Sequence, residues 1–343
     1  MKISISQKYK PFLHLPGSSV IVPGTRIPCK IYPIRIVIYG EWERIIELPL
    51  SGPVKDFTVQ LDLEEGCIRV FGTFQQGYVR YFICGQEDGV HLFLDKGPDF
   101  LKPFFSEKTK TFPKLDKQER LSFGSHKAQD MELIRRRVDV LEILPLWYSA
   151  AAWLPPRADG VKVKEGNFQL LDAIAESIEK NDKNTIEKAW QSAYLASFES
   201  LLFPRVVDSD FQGICLDPLT KSDKDIDFCL LLKMGAHLIR RMLFWDQGEK
   251  VHILPCLPPE FHCGRMIGID SRFGEWDIEW SKKLIRRVFF KPFQEGEVLP
   301  LFQKSVKTYR LRKGRKDKGK RVDTGSVICF KAGESIFFDN FQK

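Results

Sequence analysis

The spacing of apolar residues changes its period twice along the chain, and this change constrains the fold more than any single motif. Over residues 57–63 apolar and polar side chains alternate, which predicts a strand with one buried face. Over residues 131–202 apolar side chains recur every three or four positions, as on one face of a helix. Strand-like runs return after residue 251. The sequence therefore predicts an α+β protein with an N-terminal antiparallel β-sandwich, a central helical region and a C-terminal β-sandwich.

The predicted boundaries follow these changes of period. Residues 1–100 are predicted as the antiparallel β domain, 101–126 as a linker rich in proline and charge, and 127–250 as the helical region. Residues 251–343 are predicted as the C-terminal β-sandwich. The clearest helix is predicted over residues 184–203. The predicted core includes Leu61, Ile83, Trp190, Tyr194, Phe198, Leu231, Ile253 and Ile278.

Positive charge is concentrated in one stretch near the end of the chain, residues 304–321, called the basic hairpin below. The 343 residues carry a formal net charge of +8. The basic hairpin holds ten basic residues and one acid, a charge of +9, so the remaining chain carries −1. Such a stretch is either a solvated loop or a site for an anionic partner, a nucleic acid or an acidic surface. The predicted anion-binding residues are Arg310, Arg312, Lys313, Arg315, Lys316, Lys318, Lys320 and Arg321.

Cysteine usage and hydropathy predict a cytoplasmic location. The eight cysteines are scattered without a CxxC pair and mostly lie within apolar runs, as reduced cysteines do. The first ten residues contain no apolar run of the kind found in a signal peptide. The longest apolar region, residues 226–245, is interrupted by Lys233, His237, Arg240 and Arg241, so no membrane span is predicted.

Residues 235–280 carry a resemblance to a known family. A helix beginning at Gly235 leads into V-H-I-L-P-C-L-P at residues 251–258 and W-D-I-E-W at 276–280. This segment resembles the junction between barrel and β-sandwich in glycoside hydrolases with an (α/α)6 barrel, of the α-L-fucosidase and maltose phosphorylase type. Only about 125 residues separate His126 from Val251, which is too short for a barrel of twelve helices. The resemblance therefore implies a role in carbohydrate binding or as a scaffold, and any enzymatic activity would be of the glycoside hydrolase kind.

Two groups of residues are candidates for sugar chemistry. Glycoside hydrolysis uses a pair of carboxyl groups, and the candidates are Glu165, Asp225 and Asp227. The two aspartates are equally explained by capping of a helix N-terminus. The candidate ligand-binding residues are Trp147, Tyr148 and Trp153, which precede two prolines; they would stack on a sugar or pack between domains.

No metal or cofactor is predicted. Within twelve residues the sequence places His252, Cys256, His262 and Cys263, but their spacing fits no zinc-finger pattern. The phosphate-binding loops of nucleotide-binding proteins and the nucleophile elbow of hydrolases are absent from the sequence. The sequence thus leaves two functions open, carbohydrate binding and the holding of an anionic partner through the basic hairpin.

Overall fold

The prediction of an α+β fold with sheets at both ends is confirmed by a computed structural model. The structure describes residues 3–107, 111–115, 117–156, 166–207, 215–216, 229–314 and 316–343. Among the helices of these ranges, none is long and apolar enough to cross a membrane.

Two antiparallel sheets form the N-terminal region. The strands are β1 (Phe12–Leu13), β2 (Ser18–Ile21), β3 (Pro28–Ile31), β4 (Arg35–Tyr39), β5 (Glu43–Glu47), β6 (Lys55–Asp62), β7 (Cys67–Phe74), β8 (Gly77–Gln86) and β9 (Gly89–Lys96). One sheet has the order β1-β6-β7-β8-β9 and the other β2-β3-β4-β5. Apolar side chains from both sheets share one core, as in a sandwich.

The middle of the chain is helical. After the short 3-10 helix η1 (Asp99–Phe104) come α1 (Met131–Arg137), α2 (Val140–Ala152), α3 (Phe168–Glu179), α4 (Ile186–Ser197) and α5 (Cys229–Leu243). The small strand pairs between α4 and α5 are β11 (Phe198–Glu199) with β12 (Phe203–Pro204), and β13 (Val206–Val207) with β14 (Cys215–Leu216).

Two further sheets form the C-terminal region. The strands are β15 (Phe244–Gln247), β16 (Lys250–Ile253), β17 (Cys263–Ser271), β18 (Gly274–Ser281), β19 (Leu284–Pro292), β20 (Gly296–Leu301), β21 (Thr308–Lys313), β22 (Lys320–Asp323), β23 (Ile328–Phe330) and β24 (Ile336–Gln342). Strand β10 (Arg120–Ser122) joins them to give a seven-stranded sheet of order β10-β17-β18-β19-β24-β21-β22. A four-stranded sheet has the order β15-β16-β20-β23. Stacked aromatic rings such as Trp276 and Phe290 fill the core beneath the large sheet.

The stretch predicted as a linker ties the two ends of the chain together. Strand β10 lies within it and pairs with β17 of the C-terminal sheet. From β10, Arg120 donates to the Glu64 carboxylate at 2.8 Å, and the Leu121 carbonyl accepts the Tyr9 hydroxyl. The N-terminal and C-terminal sheets therefore share polar contacts through this stretch.

Helix boundaries depart from the sequence pattern at two places. Because proline lacks the N–H that a helix interior needs, the sequence predicts an interruption at Pro145. The helix ends instead before Val138, which adopts a left-handed conformation with φ of 49°. Asp139 then caps α2 by accepting from the Leu141 N–H, and Pro145 lies inside that helix. The helix predicted over residues 184–203 ends at Ser197, because Phe198 is extended and pairs with Pro204.

The predicted core residues are all buried, which confirms that part of the prediction. Their side chains are at most 4% exposed and belong to one continuous cluster that reaches from the N-terminal sheets to the C-terminal sheets. The alternation and the helical periodicity thus predicted which residues are buried. They did not predict which strands and helices pack against each other in the core.

Helices α2 and α5 approach closely where a glycine of one faces a tryptophan of the other. A Cβ at Gly235 would lie less than 3.0 Å from three atoms of the Trp147 indole. Alanine normally stabilises a helix by about 1 kcal/mol over glycine. Here we expect Gly235→Ala to lower the free energy of unfolding by about 1–3 kcal/mol, because the core is overpacked.

Urea unfolding followed by circular dichroism measures this change. The matched control is Gly235→Ala in a Trp147→Leu background, where the indole is gone and the same substitution should be neutral or stabilising. A Gly235→Ala variant as stable as the unsubstituted protein would show that the two helices are farther apart.

Candidate functional site

The aromatic residues predicted to bind a sugar lie inside the protein. Trp147 is 0% exposed, Tyr148 7% and Trp153 5%. The Trp147 indole donates to the Leu232 carbonyl at 3.0 Å, and the Trp153 indole donates to the Leu63 carbonyl at 2.8 Å. These two rings present no face on which a sugar could stack, so the alternative interpretation, packing between elements, is the one that the geometry supports.

The predicted catalytic acids Glu165, Asp225 and Asp227 lie outside the described residues. Two carboxyl groups that the structure does bring together are those of Glu187 and Glu260. Burial and the hydrogen-bonded Glu260 carboxyl raise the pKa of Glu187. The structure thus brings together two acids that the sequence analysis did not single out.

Of the four residues weighed as zinc ligands, Cys256 is buried and His252 partly buried, whereas His262 and Cys263 are exposed. The His252 ring stacks on Trp245, with ring centroids 4.2 Å apart. The Cys263 thiol lies 3.8 Å from the Phe123 carbonyl. Within the described ranges, no three histidine, cysteine or acidic side chains converge as metal ligands would.

The basic hairpin contains the antiparallel pair β21 and β22, and β22 is the edge of the seven-stranded sheet. Arg310 of β21 lies directly opposite Arg321 of β22. Arg312 lies two residues from Arg310 and opposite Phe337 of β24. Directly opposed residues share a face of a sheet, and so do residues two apart. The three arginines therefore share one face, called the outer face below.

The outer face continues across the sheet through two phenylalanines. Phe337 lies opposite Phe289 of β19, with ring centroids 5.0 Å apart. The Arg312 guanidinium lies over the Phe337 ring at 5.4 Å. The neighbouring side chains of the opposite face, such as Leu311 and Phe338, are buried in the core. The outer face thus places arginines beside aromatic rings of other strands, of which Phe337 is 8% exposed and Phe289 partly exposed.

Part of the charge on this face is neutralised. The Asp339 carboxylate accepts from Arg310 at 2.6 Å and from Arg312 at 2.7 Å. Farther along the sheet, burial alone would raise the pKa of Glu279, but hydrogen bonds from Arg287 and Arg265 lower it. At the β22 edge, Arg321 has no ion pair within the described residues, although Asp323 of the same strand lies on the same face.

The loop between the two strands, residues 314–319, is called the tip loop. The Asp317 carboxylate accepts the Lys313 N–H at 2.7 Å and the Gly319 N–H at 2.9 Å. These backbone hydrogen bonds lower the pKa of Asp317. Gly319 has φ of 76°, and a Cβ there would collide with the Leu311 carbonyl oxygen. The single acid of the basic hairpin is thus used to brace the loop.

Three lysines lie at this end of the hairpin, Lys316 and Lys318 in the tip loop and Lys320 at the first position of β22. Lys316, Lys318 and Lys320 are exposed, and no acidic side chain of the described residues forms an ion pair with them. By contrast, the Lys313 ammonium is held by the Cys329 carbonyl at 2.9 Å and lies 3.5 Å from the Glu334 carboxylate. Arg321 donates to the Thr308 hydroxyl at 3.1 Å. Arg315 lies outside the described residues.

Sequence reasoning identified the cations of this site but not their surroundings. Phe289 and Phe337 belong to other strands, and Asp339 lies 29 residues after Arg310. The alternating pattern of β24 offered a signal, since Phe337 and Asp339 fall on the same side of a strand. The order of strands in the sheet, in which β24 neighbours β21, is what brings this side of β24 next to the arginines.

Neither a protein-family model nor a curated protein matches the chain.

Proposed function

We propose that this chain is a binding protein that holds the phosphate backbone of a nucleic acid against the tip loop and the adjoining outer face. The observation that carries the proposal is the group of three exposed lysines, Lys316 and Lys318 in the tip loop and Lys320 at the start of β22. The only acid of the tip loop, Asp317, accepts from backbone N–H groups. A cluster in which cations outnumber anions attracts phosphates and releases the counterions bound to them.

The arginine and aromatic part of the outer face extends the same site. Arg321 has no acidic partner within the described ranges, and its strand neighbour Arg310 shares one carboxylate with Arg312. Arginine side chains supported by aromatic rings offer phosphates a bidentate donor and offer bases a flat cationic surface. The proposal therefore places the backbone along the β22 edge, with the tip loop at one end.

A nucleic acid fits this surface better than a membrane does. Peripheral membrane segments combine cations with exposed apolar side chains that enter the lipid interface. The large hydrophobic residues that the structure leaves exposed lie at other positions, the nearest in sequence being Phe293 and Val327, on either side of the basic hairpin. The tip loop itself offers only glycine, lysine, arginine and aspartate.

The test replaces Lys316, Lys318 and Lys320 together with serine. Binding of a fluorescein-labelled oligonucleotide of about 20 nucleotides is followed by fluorescence anisotropy over a series of salt concentrations. Because each phosphate contact on a single strand contributes about 0.7 to the slope of log affinity against log salt, we expect the slope to fall by about 2. Affinity at low salt should fall at least tenfold. The fold should survive, since none of the three side chains contacts the core.

The matched control removes three exposed lysines elsewhere, Lys8, Lys55 and Lys188, which lowers the net charge equally. It should retain the affinity of the unsubstituted chain within about twofold. Equal losses in both variants would show that only net charge matters. Binding to vesicles of anionic lipid but not to the oligonucleotide would assign the face to a membrane and contradict the proposal.

Carbohydrate binding is not part of this proposal. It rests on the resemblance of residues 235–280, and the rings of Trp147 and Trp153, on which it was expected to depend, are buried.

A further inference from the structure

A cavity that plays no part in the proposed function is lined by residues of strands β2 and β3 and of helices α1 and α4. Its volume is about 610 Å³, within the range of small-molecule sites. The Ser200 hydroxyl accepts the Ser19 N–H at 2.9 Å, and the Arg135 guanidinium donates to the Phe198 carbonyl at 2.9 Å. These two hydrogen bonds hold the segment after α4 to β2 and to α1, so the walls of the cavity are fastened to each other.

Two residues of this cavity have hydroxyl groups without a hydrogen-bond partner. Tyr194 and Ser19 line the cavity, and each is only 3% exposed. Within the described ranges, no group forms a hydrogen bond with either hydroxyl. Burial raises the pKa of Tyr194 to about 12, against the opposing effect of the Arg135 charge, so its hydroxyl is protonated and can donate. Because buried polar groups normally have a partner, the two hydroxyls point to a ligand.

Charged side chains of both signs line the same cavity without forming ion pairs. Lys30 of β3 and Arg136 of α1 are positive, and Glu132 of α1 is negative. Although Glu132 and Arg136 are four residues apart on one helix, none of the three side chains has an ion-pair or hydrogen-bond partner in the part of the chain that the structure describes. By contrast, the Glu199 carboxylate lies 3.9 Å from Arg205. A wall with unpaired charges of both signs is complementary to a ligand that carries both.

Apolar side chains form another part of the lining. They are Leu13, Leu15, Pro16 and Met131. Leu13 and Met131 are buried, whereas Leu15 is 48% exposed. An apolar group of a ligand that covers Leu15 would remove this surface from water, which favours binding.

We infer that this cavity binds a short acidic peptide through its carboxylates, its ammonium group and an apolar side chain. Lys30 and Arg136 hold the carboxylates, and Glu132 holds the ammonium group. The hydroxyls of Tyr194 and Ser19 donate to the peptide, whose apolar side chain lies against the apolar lining. The cavity shares no residue with the basic hairpin, so this inference does not depend on the proposed function.

The test follows the binding of three synthetic dipeptides to the full chain labelled with ¹³C-tyrosine, with the Tyr194 signal assigned from its loss in Tyr194→Phe. Leucyl-glutamate carries all the groups, N-acetyl-leucyl-glutamate lacks the ammonium group, and glycyl-glutamate lacks the apolar side chain. At constant ionic strength, we expect a saturable change of the Tyr194 signal with leucyl-glutamate, with a midpoint on the order of 1 mM. The other two dipeptides should bind at least fivefold more weakly.

The variant Lys30→Gln with Arg136→Gln should weaken the binding of leucyl-glutamate at least fivefold. Glu132→Gln should weaken it as well, but should not weaken the binding of N-acetyl-leucyl-glutamate, which has no ammonium group for Glu132 to hold. The control Lys8→Gln should bind all three dipeptides as the unsubstituted chain does, and circular dichroism confirms that each variant is folded.

The inference is overturned if leucyl-glutamate leaves the Tyr194 signal unchanged, or if either of the other dipeptides binds as tightly as leucyl-glutamate. It is also overturned if the double variant binds leucyl-glutamate as tightly as the unsubstituted chain does.

Discussion

Replacing Trp147 with alanine should lower the free energy of unfolding by about 3–5 kcal/mol, the cost of removing a large aromatic side chain from a packed core. The indole has no exposed surface and meets two rings edge to face, those of Trp190 at 5.4 Å and Phe198 at 4.5 Å. Alanine would leave a cavity between α2, α4 and α5. It would also leave the Leu232 carbonyl without the indole donor.

Urea unfolding measures the change, and Trp147→Phe is the control because it keeps an aromatic ring at the same place. Its cost should be less than half that of Trp147→Ala. A Trp147→Ala variant that unfolds at the same urea concentration as the unsubstituted chain would mean that the ring is not part of the core. In that case the sugar-stacking prediction would regain its basis.

Replacing Asp62 with alanine should cost about 3 kcal/mol, since the loss of one partner from a buried ion pair leaves the other charges uncompensated. Asp62 is fully buried, and one carboxylate oxygen accepts from Lys10 at 2.7 Å and from Arg69 at 2.6 Å. The other oxygen accepts the N–H groups of Glu64 and Glu65, both at 3.1 Å, and so shapes the turn after β6. The alanine variant loses both the ion pairs and the hydrogen bonds to the turn.

The informative control is Asp62→Asn, whose amide oxygen still accepts from the turn while the negative charge is gone. We expect the asparagine variant to lose about half as much stability as the alanine variant, in thermal and urea unfolding alike. Equal losses would assign the effect to the ion pair alone. An alanine variant without loss would contradict the buried network.

Alternation of apolar residues predicted strand β6 but could not predict its buried aspartate. Phe57, Val59 and Leu61 point into the core as the pattern requires. Asp62 is nevertheless buried, because Lys10 and Arg69 approach it from outside β6. Alternation of apolar residues along a strand shows which face of the strand is apolar. The partners of a polar side chain depend instead on strand order and on residues distant in sequence.

At the candidate sites, too, the sequence predicted which residues are present but not which partners they contact. The local excess of charge predicted the cations of the basic hairpin. Sequence could not show that Asp339 would neutralise two of its arginines, or that Lys316, Lys318 and Lys320 would have no ion pair among the described residues. The aromatic residues before Pro155 left packing and ligand binding open. The close approach of Gly235 to Trp147, from a helix that begins about 80 residues later, favours packing.

Acetylation of lysines by a small reagent, quantified by mass spectrometry with and without the oligonucleotide, tests the central claim most directly. The nucleic-acid proposal predicts that Lys316, Lys318 and Lys320 are protected at least threefold by the oligonucleotide at low salt. Lys8, Lys55 and Lys188 should react equally in both samples, and the protection should disappear as salt is raised. Equal reactivity of Lys316, Lys318 and Lys320 with and without the oligonucleotide would contradict the nucleic-acid proposal. Protection confined to lysines elsewhere would contradict it as well.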